Sequence, residues 1–259
     1  LLAENEMANE SREAVLAKLA LNPRYAARFA ETFDEGLTER TLGRVLAAYQ
    51  RALLSGDSPF DRWYFGGERS TGLGSGSEGY PALAAQGFAL FQDKGCASCH
   101  RINDSSALFT DGQFHNTGTG YRRAGRALRP PSVQLAPGVF VVPTVDAETE
   151  TFTDDGRFEV TGQEADKWRY RTPSLRNVAL TGPYMHDGSI ATLEGVVAFY
   201  AEGGGGDPTQ DPRTRSVQLT ESDQEALVAF LRTLTSSHVD ALVSDARSVT
   251  IGERTAGGQ

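Results

Sequence analysis

The sequence has few of the residues that hold small secreted scaffolds or metal-rich domains together. Its 259 residues include two cysteines, two methionines, two tryptophans and four histidines. Two cysteines form at most one disulfide, which excludes a scaffold built on several. No apolar run approaches the roughly 18 residues that a membrane-spanning helix needs, so no membrane span is expected. Basic residues number 25 against 34 acidic ones, and no basic stripe alternates with aromatics, so nucleic acid is not expected as a partner.

The composition that is present suits a folded protein. Hydrophobic residues make up 39% and charged residues 23% of the chain. At roughly 150 residues per domain, this length predicts one large or two small domains with enough chain for a core. The sequence begins at Leu1 and no leader peptide can be read from it, so we interpret it as a processed or cut product.

Helix signals dominate the first 65 residues. Ser11, the Asn22-Pro23 pair and Thr38 are each typical of a helix N-terminus, and apolar residues follow them at helical spacing. The last of these helices is expected to run until Ser55. Residues 66–79 are rich in Gly and Ser, which predicts a linker. We therefore divide the chain into a helical segment (1–65), a linker (66–79), a second module (80–237) and a surface tail (238–259).

The second module combines helices with a long irregular stretch. Residues 81–93 and 192–201 have helical periodicity, and residues 220–235 add a capping box at their start, Thr220 with Asp223. Between 101 and 170 the chain is rich in Gly, Pro, Thr and Asp, with short strand-like pieces such as 158–160. These patterns predict an all-α fold with long irregular loops.

Cys96, Cys99 and His100 form the one Cys-x-x-Cys-His motif of the chain. This motif is typical of covalent haem c attachment, because two thiols at this spacing can add to the haem vinyl groups while the adjacent imidazole binds iron. A zinc site would need two further ligands at suitable spacing, and a thioredoxin-like site would need a parallel α/β pattern. Haem c is attached outside the cytoplasm, so the motif predicts a periplasmic location. Gly87 and Phe91, on the helix entering the motif, are suited to cross the helix over 220–235.

The residues leave the sixth iron ligand open. Met185 is the only methionine after the motif, and His115, His186 and Tyr200 are rivals. Each such side chain is more often an ordinary packed or hydrogen-bonded group than a ligand. The identity matters because a thioether raises the reduction potential, whereas a phenolate favours higher oxidation states of the iron.

Several segments together resemble the bacterial di-haem cytochrome c peroxidase and MauG family. They are KGCASCH at 94–100, LFTDGQFHNTG at 108–118, GRFEVTG at 156–162 and RTPSLRNVALTGPYMHDG at 171–188. The resemblance implies a cytochrome c-like haem domain preceded by a helical bridging segment. Members carry an N-terminal haem that reacts with peroxide and a C-terminal haem that supplies electrons. The single motif here matches the C-terminal one, so a second haem is expected upstream, and we interpret the chain as a C-terminal fragment or one piece of a split protein.

The resemblance also assigns roles to individual residues. Glu6 matches the acid–base carboxylate that serves the peroxide-reacting haem, which is the upstream one. Tyr200 matches the sixth ligand of MauG-like members, with Met185 as the alternative of an ordinary peroxidase. Backbone carbonyls of Thr181 and Pro183 match ligands of a calcium ion between the modules.

The function implied is that of a MauG-like peroxidase, which uses hydrogen peroxide to reach high-valent haem iron and then oxidises a partner, often a protein side chain. One alternative is an ordinary cytochrome c peroxidase that takes electrons from a small redox protein. Another is a single-haem electron-transfer module without catalysis. Trp63 and Trp168 are readily oxidised and could relay electrons, although large aromatic residues more often serve packing.

Overall fold

A computed structural model describes residues 7–53, 55–66, 79–124, 133–136, 139–141, 154–215 and 217–248. The chain divides into two compact units, one ending at Leu54 and the other beginning at Ser55. Glu6 and nearly all of the predicted linker lie outside the described residues. None of the described helices is long and apolar enough to cross a membrane.

The first unit is helical and begins each helix where the sequence predicts. Its helices are α1 (Arg12–Ala20), α2 (Pro23–Thr32) and α3 (Glu39–Ala52). The side chains of Ser11 and Asn22 accept hydrogen bonds from first-turn N–H groups, and Thr38 and Thr41 cap each other reciprocally. Helix α3 ends at Ala52, three residues before the expected stop at Ser55.

The second unit contains seven helices among the described residues: α4 (Pro59–Phe65), α5 (Ala82–Asp93), α6 (Thr119–Ala124), α7 (Phe158–Thr161), α8 (Leu193–Ala201), α9 (Glu221–Arg232) and α10 (Val239–Ser248). Its described strands are β1 (Phe114–His115), β2 (Val133–Ala136), β3 (Val139–Val141) and β4 (Tyr170–Arg171). Strand β1 pairs antiparallel with β4, and β2 pairs antiparallel with β3. The predicted helices over 81–93, 192–201 and 220–235 are confirmed, and α9 begins with the predicted Thr220–Asp223 capping box.

One local prediction was wrong. Residues 158–160 were expected to be strand-like, but they form the helical turn α7, which ends at Gly162 in the left-handed conformation (φ +64°). Glycine adopts that conformation without a steric penalty and so terminates a turn readily. Within residues 238–259, which were assigned to a surface tail, Val239–Ser248 form helix α10.

The core of the second unit lies where α5 crosses α9. A Cβ atom at Gly87 would overlap the carbonyl oxygen of Ala226 and lie 2.9 Å from Cβ of Phe230, so only glycine allows this approach. Phe91 packs on the same helix, 5.0 Å from the Phe230 ring centroid. The crossing predicted from Gly87 and Phe91 is therefore confirmed.

Helix α4 packs in this core, although it had been assigned to the predicted helical segment 1–65. Phe60 is fully buried, and its ring centroid lies 5.2 Å from that of Phe88 and 5.6 Å from that of Phe230. The predicted helical segment 1–65 therefore contains residues of both units, since the division falls between Leu54 and Ser55.

Candidate haem site

The cysteine motif follows α5 directly after Gly95, whose backbone is in the left-handed conformation. Gly95 has φ +81° and turns the chain into the 3₁₀ turn Cys96–Ser98. The backbone N–H groups of Cys99 and His100 both donate to the carbonyl of Cys96, at 3.3 and 3.0 Å. This turn places both cysteines on one short loop beside the histidine.

The two cysteines carry free thiols in half-buried positions. Burial raises the pKa of Cys96 to about 11 and also raises the pKa of Cys99, so both are protonated at neutral pH. Two neighbouring thiols that are not paired with each other suit covalent addition to the haem vinyl groups.

His100 is oriented for metal binding by the backbone of Phe109. Its Nδ1 lies 2.8 Å from the Phe109 carbonyl oxygen, which can only accept, so Nδ1 carries the proton and Nε2 remains for iron. Burial lowers the pKa of His100, which favours the neutral imidazole that binds metal. The donor set and its tautomer thus fit a haem attached at Cys96 and Cys99.

Tyr200 lies on helix α8, where its ring centroid is 5.3 Å from that of Phe199. Burial raises the pKa of the Tyr200 phenol well above its ordinary value. No described residue forms a hydrogen bond with its hydroxyl. Met185 lies in a turn, where it is half-buried with φ +69° and its carbonyl accepts from the N–H of Gly188.

His115 is already engaged by charged groups. Its Nε2 lies 2.8 Å from Asp111 Oδ2, and its Nδ1 lies 3.1 Å from Asp211 Oδ2. The Arg213 guanidinium is 2.9 Å from the same Nδ1 and also binds Asp211. Because both ring nitrogens have partners, the structure argues against His115 as an iron ligand.

This charged cluster was not predicted from the sequence. Hydrogen bonds from Arg213 hold the pKa of Asp211 well below its usual range. At Asp111 burial alone would raise the pKa, but hydrogen bonds from Gln113 and His115 outweigh it and lower the pKa to about 2. Donor atoms of Cys99, Asp111 and His115 lie within 4.8 Å of one another. The four-residue spacing of Asp111 and His115 was readable, whereas Asp211 and Arg213 lie almost a hundred residues downstream.

His186 and the calcium residues occupy the 171–188 block. The His186 ring stacks on Tyr170, with centroids 3.5 Å apart and planes at 11°, and its Nε2 is 3.8 Å from Asp154 Oδ2. Pro183 follows Gly182 through a cis peptide bond, and Thr181 directly precedes this pair. The role of Thr181 and Pro183 in calcium binding stays a prediction.

The two tryptophans both pack against other aromatic rings. Trp63 stacks on Tyr80 with centroids 4.3 Å apart and planes at 4°. Trp168 contacts Tyr121 edge to face at 5.5 Å, and the Lys167 ammonium lies 5.2 Å from its ring. These contacts give each indole a packing role.

The sequence is similar to a family profile and to several curated proteins. A family profile described as di-haem cytochrome c peroxidase matches residues 1–69. The methylamine utilization protein MauG of Methylorubrum extorquens is 35% identical over 237 residues, covering 90% of this chain and 55% of that protein. The cytochrome c peroxidase Ccp of Escherichia coli is 31% identical over 232 residues, covering 88% of this chain and 40% of that protein. The chain belongs to the di-haem cytochrome c peroxidase and MauG family.

Solved structures agree with this membership. A MauG-like protein associated with microbial copper homeostasis superposes with a TM-score of 0.59 at 26% identity, covering 89% of this chain and 64% of its own. The diheme peroxidase BthA of Burkholderia thailandensis gives 0.56 at 25% identity, with 91% and 62% covered. The predicted mostly helical, cytochrome c-like fold is therefore confirmed. The chain spans about half the length of the curated relatives it matches, and those relatives include both MauG and cytochrome c peroxidases.

Proposed function

We propose that this chain is the C-terminal part of a MauG-like di-haem peroxidase, which uses hydrogen peroxide to oxidise a side chain of a partner protein. In this proposal one haem c is attached to Cys96 and Cys99, and a second belongs to an upstream module served by Glu6. The observation that supports the MauG-like assignment is the similarity to MauG of Methylorubrum extorquens, 35% identical over 237 residues that cover 90% of this chain.

The residues of this chain have separate tasks. Cys96 and Cys99 would hold the haem, and His100 would offer Nε2 to the iron while the Phe109 carbonyl keeps the proton at Nδ1. When bound, the haem supplies an iron that accepts and donates single electrons. Tyr200 would offer an oxygen ligand to the iron, and a phenolate would stabilise oxidised iron better than a thioether does.

Two further parts of the proposal rest on the family and on haem chemistry. Thr181 and Pro183 would supply carbonyl oxygens to a calcium ion, which prefers such hard ligands. The protein would work in the periplasm, because haem c is attached outside the cytoplasm.

An ordinary cytochrome c peroxidase is the second candidate. Relatives with that name match the chain almost as well as MauG does, for example Ccp of Escherichia coli at 31% identity. In this alternative Met185 would be the sixth ligand, and a small redox protein would supply the electrons that reduce peroxide.

The two candidates are separated by the ferric spectrum of the haem-loaded protein. With Tyr200 as ligand, Tyr200→Phe changes the absorption and electron paramagnetic resonance spectra, and Met185→Leu leaves them unchanged. The reverse result would identify Met185 as the sixth ligand and would favour an ordinary cytochrome c peroxidase. Oxidation of a partner is then tested by adding hydrogen peroxide to the full-length protein and analysing co-purifying proteins by mass spectrometry.

A further inference from the structure

We propose that Arg176, anchored by Asp61, is a positioning residue for the haem: it fixes the Phe109 carbonyl against His100 and thereby tunes the reduction potential of the attached iron. The inference depends on haem attachment at the motif, but not on whether Tyr200 or Met185 is the sixth ligand.

The backbone at Phe109 needs external support. Its φ is +53°, in the left-handed region that disfavours residues other than glycine. Its side chain is fully buried, and its ring centroid lies 5.3 Å from that of Phe60 and 6.2 Å from those of Phe91 and Phe230. This conformation turns the carbonyl toward His100, and the surrounding contacts must hold it there.

Those contacts come from residues 172–176, which bind the chain on both sides of Phe109. Arg176 Nε donates to the Ala107 carbonyl at 2.6 Å, and Ser174 Oγ donates to the Leu108 carbonyl at 2.7 Å. After Phe109, Thr110 Oγ1 donates to the Thr172 carbonyl at 2.7 Å. With the neighbouring positions fixed in this way, the Phe109 carbonyl is directed to His100.

Arg176 is in turn held by a two-point ion pair. Its Nη1 and Nη2 lie 2.6 and 2.7 Å from the two carboxylate oxygens of Asp61, and the side chains are only 9% and 14% exposed. Asp61 also accepts from the N–H and hydroxyl of Ser58 at the start of α4. The guanidinium lies 5.3 Å from the Phe109 ring centroid. Lysine could not make these contacts together, because it lacks the planar fork of donors.

The hydrogen bond at Nδ1 is the link to the iron. A carbonyl that accepts this proton increases the electron donation of the imidazole, which favours the ferric state. Changing Arg176 or Asp61 should loosen these contacts and weaken the hydrogen bond at His100 Nδ1. The reduction potential of the iron should therefore rise.

The test measures the potential of the haem attached to Cys96 and Cys99 in the haem-loaded protein, by spectroelectrochemistry. Arg176→Lys and Asp61→Asn should each increase the ferrous-to-ferric ratio at a fixed applied potential at least threefold, or about 30 mV at 59 mV per tenfold change. Ser174→Ala removes only the hydrogen bond to the Leu108 carbonyl and should give a smaller shift of the potential in the same direction.

Two controls separate positioning from general stability. Arg232→Lys alters an exposed ion pair with Glu194, whose N–O distance is 2.7 Å, and should leave the potential unchanged. Val228→Ala removes core volume on α9 and should lower Tm without this shift. If Arg176→Lys, Asp61→Asn and Ser174→Ala lower Tm but keep the wild-type potential, these contacts contribute to stability alone and the proposal is wrong. The ferric spectrum of Tyr200→Phe tests the proposed function independently.

Discussion

Gly87 lies directly against the backbone of Ala226 where α5 crosses α9, with no room for a side chain between them. This contact brings Phe88 and Phe91 to within 5.4 and 5.0 Å of the Phe230 ring centroid. Since α5 leads directly into the cysteine motif, the crossing also fixes the position at which the motif from Cys96 to His100 begins.

Gly87→Ala should therefore destabilise the second unit, because the methyl group overlaps backbone that cannot move easily. We expect a loss of about 1–3 kcal/mol or more in the free energy of unfolding, as for other overpacked cores. The matched control is Gly43→Ala in α3, where an added Cβ meets nothing within 4 Å. That change should be neutral or stabilising by about 0.5–1 kcal/mol. Denaturant unfolding that shows equal losses for both variants would contradict the close approach.

Much of this helical frame was readable from local signals. Ser11, Asn22, Thr38 and Thr220 cap helices through their own side chains, so the information lies within three residues of each helix start. The haem-attachment motif is equally local. Its position after a glycine-containing helix predicted the crossing as well.

The remaining features depend on contacts between distant residues. The burial of Phe60, the pairing of Asp61 with Arg176 and the enclosure of His115 by Asp211 each join residues about a hundred positions apart or more. The error at 158–160 has a local cause, because an aromatic and a β-branched residue favour a strand but Gly162 closes a helical turn.

His115→Gln should leave the ferric spectrum of the haem unchanged. Both ring nitrogens of His115 already have partners, Asp111 and Asp211, so the ring is not free to bind iron. Stability should fall by about 1–3 kcal/mol, because the single amide nitrogen of glutamine cannot replace both ring nitrogens in their contacts with Asp111 and Asp211. Tyr200→Phe, measured in the same series, is the comparison. A spectral change in His115→Gln as large as that in Tyr200→Phe would make His115 a ligand after all.

Acid should destabilise the protein through Asp111. Its pKa in the folded state, about 2, is below the ordinary value of 3.8, so the folded protein favours the ionised carboxylate. This contribution to stability is complete above about pH 4 and is lost as the pH falls through the interval from 3.8 to about 2. Asp111→Asn should make unfolding less dependent on pH in that interval. Urea denaturation at several acidic pH values measures the dependence, and identical slopes for wild type and variant would contradict the assignment.

Glu6→Gln should slow the reaction of the full-length protein with hydrogen peroxide. A positioned carboxylate that transfers protons typically contributes a factor of about 10²–10⁴, and glutamine keeps the shape without the acid–base function. Glu4→Gln is the control, because it removes the same charge two residues away. Stopped-flow absorption spectroscopy gives the rates. Equal rates for the two variants would remove Glu6 from the mechanism.

The number of haems per polypeptide should distinguish an enzyme from an electron-transfer module. This sequence holds one attachment motif, and that motif uses both of its cysteines, so these 259 residues can carry one covalent haem. A peroxidase of the proposed kind needs a second haem with an open position, since a haem with two protein ligands has no site for peroxide. We therefore expect protein from its native host to show two haems on a longer chain, by pyridine haemochrome assay and intact mass. One haem on a chain of about 27.9 kDa would instead favour the single-haem module, and the role proposed for Glu6 would be lost with it.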